Sequence, residues 1–283
     1  MNNISIIISS IGKSKKLDEL CTYLTNNYKQ DEIILVDNSS DKKLYKNYHN
    51  NKYIKYIHEP NVGLSNARNR GAKESSNSIL LFLDDDIMPS KSFSKIIKKY
   101  KEDNQIEKIG IVGGKIKAYE IPIYLPKKYH YMVGEKNFGN KTKILNKNEN
   151  LGGCCLMISK KNFYLVNGFN NEYGHKDDSI GANEDVLIQN QLKKLKLNIV
   201  YEPEFDVIHF WEGTYDMIQQ RLEIQGKNDY LLDKRYYYFK YILKLIKYHI
   251  FIFFKKNSED LTDNYDIVRY KAYVQNRGRN RNK

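Results

Sequence analysis

Three consecutive carboxylates, Asp84-Asp85-Asp86, stand directly after the apolar run Ile79–Leu83. Like charges this close repel one another unless a cation neutralises them. Hard oxygen ligands on a short loop suit Mg2+ or Mn2+, which also bridge phosphates. The competing reading is a solvated acidic turn that caps the next helix, and the position at the end of a buried strand favours the cation. A second cluster, Asp37-Asn38-Ser39-Ser40, follows the apolar run that ends at Val36. Its short side chains either hydrogen-bond a base or ribose, or close an Asx-turn with a helix cap at Ser39 or Ser40. A third stretch, residues 61–71, reads NVGLSNARNRG and opens a helix whose first turns carry Arg68 and Arg70. A helix N-terminus with guanidinium groups nearby attracts phosphate; the alternative is a capped surface helix with ordinary charges. A fourth, Gly181-Ala182-Asn183-Glu184-Asp185, opens another helix. Its carboxylates offer a general base, or they only complement the helix dipole. No Walker A or GxGxxG sequence is present, so neither an NTPase P-loop nor a dinucleotide fingerprint is supported.

These clusters need a frame to position them. Strands are expected at Ile4–Ile8, Glu32–Val36, Ile54–His58, Ile79–Leu83 and Ile109–Val112, with helices at 16–28, Ser65–Glu74 and 90–102 between them. The run ILLFL is apolar throughout, as a parallel strand buried on both faces should be. Repeated β-α-β units imply a mostly parallel sheet with helices on both faces, and ligands in such sheets sit beyond the carboxyl ends of the strands. The loops after Ile8, Val36 and Leu83 are therefore the places to look. Residues 118–150, with Pro122, Pro126, Gly134 and Gly139, read as a long surface excursion, and loops of that length are usually functional. Regular structure resumes at Leu151–Ser159, with helices near 159–166 and 184–195, a strand at 198–202 and helical character from about 214 to 256.

The bulk numbers set outer bounds. With 283 residues, 41% hydrophobic and 29% charged, the chain can bury a sizeable core as one large α/β domain with a C-terminal appendage. Its net charge of +13 favours anionic partners: nucleic acid, an anionic membrane surface or phosphorylated substrates. Cys21, Cys154 and Cys155 make no disulfide framework and show no zinc spacing, which fits a reducing cytosol. The N-terminus lacks the pattern of a signal peptide, and no window reaches the roughly 18–20 apolar residues a membrane-spanning helix needs.

Taken in order, the stretches IIISS, LVDNSS, EPNVGLSNARNRG, LLFLDDDIMPS, LGGCCLMISKKNFYLVNGFNNEYG and ANEDVLIQNQLKK resemble an inverting family 2 glycosyltransferase with the GT-A fold, over roughly residues 4–230. The resemblance implies an α/β, Rossmann-like sandwich with a nucleotide-binding half (1–117) and an acceptor-binding half (118–230). It implies a sugar moved from a nucleotide-diphosphate donor, with a UDP-sugar expected, to an acceptor hydroxyl in surface polysaccharide or glycan assembly. Ser9, Asp37, Asn38, Arg68, Asp84 and Asp85 then match positions that contact the nucleotide sugar, although Asn38 stands where many relatives have a second Asp. Asp84 and Asp86 match the DxD motif that holds Mn2+ or Mg2+, with Asp86 as direct ligand. Asp185 matches the catalytic base, supported by Glu184, which is alternatively an acceptor contact.

Several residues further on carry two readings each. His209, at the end of a strand, is a third metal ligand or a structural side chain. Trp211 stacks on an acceptor sugar or packs in the core, and Arg221 and Lys227 meet diphosphate or lie on a solvated helix face. Residues 236–256, YYYFKYILKLIKYHIFIFFKK, form an amphipathic helix lying on an anionic membrane or one docked on the catalytic domain; 257–283 is a polar, basic tail. A lipid-linked acceptor and a cytoplasmic enzyme peripheral to the inner face of the membrane fit the first of these. Two other classes are a sugar-1-phosphate nucleotidyltransferase, which the loop SSIGKSKK disfavours because it lacks a Gly- and Arg-rich sequence, and a nucleic-acid-binding protein, which the carboxylates at strand ends disfavour.

Overall fold

The computed structural model describes residues 3–102, 104–173 and 183–232, with 242, 243, 246, 268, 269, 271 and 272. Its first half is the expected alternation: β1 (Ile4–Ser10), α1 (Leu17–Asn27), β2 (Glu32–Asp37), the short α2 (Tyr45–Tyr48), β3 (Lys55–His58), α3 (Leu64–Glu74) and β4 (Ile79–Asp84). After it come β5 (Ile87–Pro89), α4 (Phe93–Glu102), β6 (Ile109–Ala118), β7 (Lys143–Ile144), β8 (Cys155–Ser159), α5 (Lys160–Leu165), α6 (Glu184–Lys194), β9 (Asn198–His209) and α7 (Tyr215–Leu232). The nine strands form one mixed, mostly parallel sheet in the order β3-β2-β1-β4-β8-β6-β9-β5, with β7 pairing β9. β1 to β4 are parallel; β8 runs antiparallel between β4 and β6, and β6 pairs β9 in parallel.

Side chains of a strand alternate between faces, so the continuous apolar runs feed two cores at once. Ile6, Ile8, Leu81 and Leu83 pack with Leu20 and Leu24 of α1 and Ile96 and Ile97 of α4. Ile7, Leu80 and Phe82 face the other way, against Ala67 and Ala72 of α3, Phe163 of α5 and Ile188 and Leu192 of α6. The excursion 118–150 is less irregular than its composition predicts. It holds a 3-10 helix, Lys127–Val133, whose Tyr129, Met132 and Val133 pack with the preceding Leu125 against Ile218 and Leu222 of α7. Of the C-terminal segment 236–256, only Ile242, Leu243 and Ile246 are among the described residues, and the latter two are exposed; the tail 257–283 lies almost wholly outside them.

Helix α3 sits unusually close to the sheet. A Cβ on Gly71 would stand 2.3 Å from Cγ2 of Ile7 and 3.3 Å from Cγ2 of Val36. Both are β-branched side chains in buried strands and have little room to turn. Gly71→Ala is therefore expected to destabilise the fold by about 1–3 kcal/mol through overpacking, read as a lower denaturation midpoint. The contact matters because α3 carries Arg68.

Candidate functional site

Parallel pairing brings the polar strand ends level. Ser9 lies opposite both Val36 and Asp84, and Ser10 opposite Asp37. Strand β9 runs on past the stretch expected from sequence, through residue 209. There it pairs with Ile87 of β5 and Ala118 of β6. This delivers His209 to the residue after the acidic triplet, and Asp86 is fixed to it by the Phe210 amide, which donates to the Asp86 carbonyl at 2.8 Å.

Arg68 joins the two halves of the site. It is buried, and its guanidinium donates to Asp84 Oδ1 at 2.6 Å, to the Gly153 carbonyl at 3.0 Å and to Glu184 Oε1 at 3.1 Å. One cation on α3 thus ties the end of β4 to the first turn of α6. Burial alone would lower its pKa, but Asp84 and Glu184 reverse the sign and hold it above the usual arginine value.

Two adjoining cavities open around this hub. The first, about 380 Å³, is bounded by Ser9, Asn38, Asp84, Asp85, Asp86 and Trp211 among others. The second, about 630 Å³, is bounded by Arg68, Lys136, Gly153, Glu184 and Asp185 among others. Asp84, His209, Arg221 and Leu64 belong to both. Ser9 Oγ, Asp86 Oδ1 and Arg221 Nε are buried and have no hydrogen-bond partner among the described residues. Buried polar atoms are nearly always paired, so three orphans around the same cleft point to a polar ligand.

The residues fit a divalent cation in part. His209 Nδ1 lies 2.9 Å from the Val133 carbonyl, which can only accept, so Nδ1 carries the proton and Nε2 presents its lone pair. That Nε2 is 3.4 Å from Asp86 Oδ2. Gly134 makes this possible: its φ is +89°, and a Cβ there would lie 2.5 Å from His209 Nδ1. Among the described residues no three His, Cys, Asp or Glu side chains are grouped to hold a metal by themselves. An Asp–His pair supplemented by phosphate oxygens and water is the pattern Mg2+ and Mn2+ accept. Burial, and then repulsion from Asp86 and Asp84, pushes the Asp85 carboxyl up to about 8. Burial raises Asp86 as well, against the pull of His209.

Asp185 is half-buried in the second cavity. Burial, and next the neighbouring Glu184 carboxylate, raise its pKa to about 7, with Arg68 and Lys136 pulling the other way. Its Oδ1 accepts from the Val186 amide at 2.9 Å. The pair therefore divides: Glu184 turns inward to Arg68, and Asp185 faces the cavity.

The other expected site residues make contacts of their own. Asp37 is fully buried and bounds neither cavity. Its Oδ1 accepts from the amide and hydroxyl of Ser39, and its Oδ2 from the Leu44 amide and the Tyr56 hydroxyl. These bonds build the loop after β2. Asn38 bounds the first cavity, but its side chain bonds the Glu59 and Asn61 carbonyls and the Gly63 amide, anchoring the start of α3. Asp85 accepts from the Ser10 hydroxyl. Glu184 accepts from Arg68 through Oε1 and also bounds the second cavity. Trp211 bounds the first cavity, away from Asp185, with the Arg221 guanidinium 5.5 Å over its ring. Arg221 is no solvated helix residue: it is half-buried, donates to the Met132 carbonyl at 2.5 Å and faces Asp86, Asp84 and Glu184. The side chain of Lys227 and residues 181 and 182 lie outside the described ones. Sequence reasoning missed Lys136 altogether. It bounds the second cavity beside Asp185, where burial lowers its pKa, and it comes from the excursion, where no periodicity marks it.

The sequence matches the family Glycosyl transferase family 2 over residues 5–164. The glucosyl-dolichyl phosphate glucuronosyltransferase of Haloferax volcanii is 22% identical over 204 residues, covering 64% of this chain and 64% of that protein. The chain thus spans a little under two thirds of that relative's length. Among solved structures, GalNAc-T7 with UDP, GalNAc and Mn2+ superposes with a TM-score of 0.56 at 15% identity, over 79% of this chain and 47% of that one. The mannosyltransferase PcManGT from Pyrobaculum calidifontis, in complex with GDP-Man and Mn2+, gives 0.56 at 12% identity, over 96% and 70%. The shared fold is the α/β, GT-A-like sheet described above.

Proposed function

We propose a specific reaction for this chain, which belongs to Glycosyl transferase family 2: a sugar passes from a nucleotide-diphosphate donor to an acceptor hydroxyl, with inversion at the anomeric carbon. The observation that carries this reading is the Arg68 bridge, which gathers the strand-end carboxylates and Asp185 around adjoining cavities. The nucleotide takes the first cavity, against Ser9 and the Asn38 loop. The diphosphate lies along the shared wall, where Arg221 offers positive charge and an Nε that has no partner among the described residues. Asp86 and His209 would hold Mn2+ or Mg2+, which when bound offsets negative charge developing on the leaving diphosphate. Asp185 takes the proton of the acceptor hydroxyl as its oxygen attacks opposite the leaving group. One in-line displacement inverts the centre without a covalent sugar on the protein.

UDP is the favoured nucleotide. The Haloferax relative is named for a glucosyl-dolichyl phosphate, and this supports a lipid-linked acceptor here as well. A panel of nucleotide sugars with Mn2+ tests the reading: one donor should raise the unfolding temperature and be slowly hydrolysed. Indifference to every activated sugar and to divalent cations would remove it. Asp86→Ala is expected to weaken Mn2+-dependent donor binding by roughly 10–100-fold, measured by calorimetry with and without the metal.

A further inference from the structure

Within residues 119–128, YEIPIYLPKK, the side chains of Ile121 and Ile123 are apolar yet exposed. The Leu125 amide donates to the Pro122 carbonyl at 2.8 Å, closing a β-turn with Ile123 and Tyr124 at its two central positions. Such positions favour Gly, Asn, Asp or Pro. Here Ile123 is fully exposed, Tyr119 is 64% exposed, and Ile121 and Tyr124 are also exposed. The turn is nevertheless firmly seated. Leu125 is buried in the cluster with α7, Tyr119 stacks on Phe210 at 4.6 Å, and Tyr124 meets Tyr215 edge-on at 5.6 Å. A braced turn with an apolar tip departs from local preference without any gain inside the fold, and such departures mark function.

We propose that this turn docks the protein on an anionic bilayer, with Ile121 and Ile123 entering the boundary between headgroups and acyl chains. Charge selects the occupant. Lys127 and Lys128 follow the tip on the exposed start of the 3-10 helix, Glu120 is the single acid in residues 119–128, and the whole chain carries +13. Tyrosine rings beside aliphatic tips, with lysines behind them, suit an interface that is apolar on one side and negatively charged on the other. The turn also adjoins the cleft: the Tyr119 amide donates to the His209 carbonyl at 2.8 Å, and Phe210 bounds the first cavity. Docking here would hold the cleft mouth at the membrane. The segment 236–256 is a separate stretch of chain, and the turn is assayed by its own reporter.

The test uses the full chain without sugar donor, so its outcome is independent of the transferase reading. Vesicles of phosphatidylcholine with about one third phosphatidylglycerol are compared with phosphatidylcholine alone. Ile123→Trp should show blue-shifted emission on the anionic vesicles, measured against the parent protein with its single Trp211. The double variant Ile121→Asp/Ile123→Asp should bind these vesicles at least about tenfold more weakly, since two apolar side chains leave the bilayer. Lys127→Glu/Lys128→Glu should reduce the preference for anionic lipid. All these positions are exposed, and an unchanged thermal transition confirms the fold of each variant. The proposal is overturned if the parent ignores anionic vesicles, if it binds them while the emission of Ile123→Trp is unshifted and the double Asp variant binds equally well, or if the turn mediates only self-association.

Discussion

Asp185→Asn is expected to lower transfer by about 10²–10⁴-fold while leaving donor affinity within a few-fold of the parent. The substitution keeps the shape and removes the proton acceptor. In the proposed arrangement the donor takes the first cavity and the shared wall, whereas Asp185 bounds only the second. Its environment adds a pH signature. Burial and the adjacent Glu184 raise the carboxyl to about 7, so below that pH the group is protonated and cannot accept the acceptor's proton. In the parent, kcat/KM should rise with pH through an apparent pKa near 7 in the free enzyme, and the Asn variant should lose that limb. The stability sign is opposite. The folded pKa lies above the unfolded one, so as pH rises from about 4 to 7 the unfolded chain loses this proton first and the fold is weakened. Asp185→Asn removes the liability, so the variant should be at least as stable as the parent above pH 7. Full transfer by Asp185→Asn, or an unchanged acidic limb, would exclude Asp185 as the base.

The frame of this site was readable because burial on both faces leaves a plain mark. Ile4–Ile8 and Ile79–Leu83 are apolar almost without interruption, and the structure makes them neighbouring central strands. The acidic triplet was readable because it ends such a strand. Sheet order was not: β8 slots antiparallel between β4 and β6, and no local pattern in Cys155–Ser159 records which strands it will separate. Nor does spacing reveal what a polar side chain will face. Asp37 carried two readings, a nucleotide contact implied by the family resemblance and an Asx-turn, and its four hydrogen bonds from its own loop and from Tyr56 form the turn. Arg221 carried two readings, a diphosphate contact and a solvated helix face, because a helix with few apolar neighbours gives no periodic cue. It is half-buried because the excursion folds back over α7 through Met132 and Val133. Long-range packing decides each of these cases.

Arg68 is where that long-range packing is most concentrated, and Arg68→Met should destabilise the fold by about 3–5 kcal/mol. Methionine fills similar space, so the loss is electrostatic. Arg68 is bonded to partners 16 and 116 positions away, and without it Glu184 is left buried without its guanidinium partner while Asp84 loses the group that donates to it. A lysine cannot repair this, because one ammonium group lacks the planar fork that reaches Asp84, Glu184 and the Gly153 carbonyl together. Two results would separate an uncompensated charge from a packing defect. First, Arg68→Met/Glu184→Gln should be more stable than Arg68→Met alone, since the second change removes the stranded carboxylate. Second, the deficit of Arg68→Met should shrink as pH falls. Protonation removes the charge left without its guanidinium, so the penalty belongs to neutral rather than acidic solution. If the single and double variants unfold alike at every pH, Arg68 is a space-filler and the two halves of the cleft are joined by something else. If the predicted pattern holds, transfer activity should fall further than stability in Arg68→Met, because α6 would no longer be fixed to the end of β4 and Asp185 would lose its alignment with the diphosphate side of the cleft.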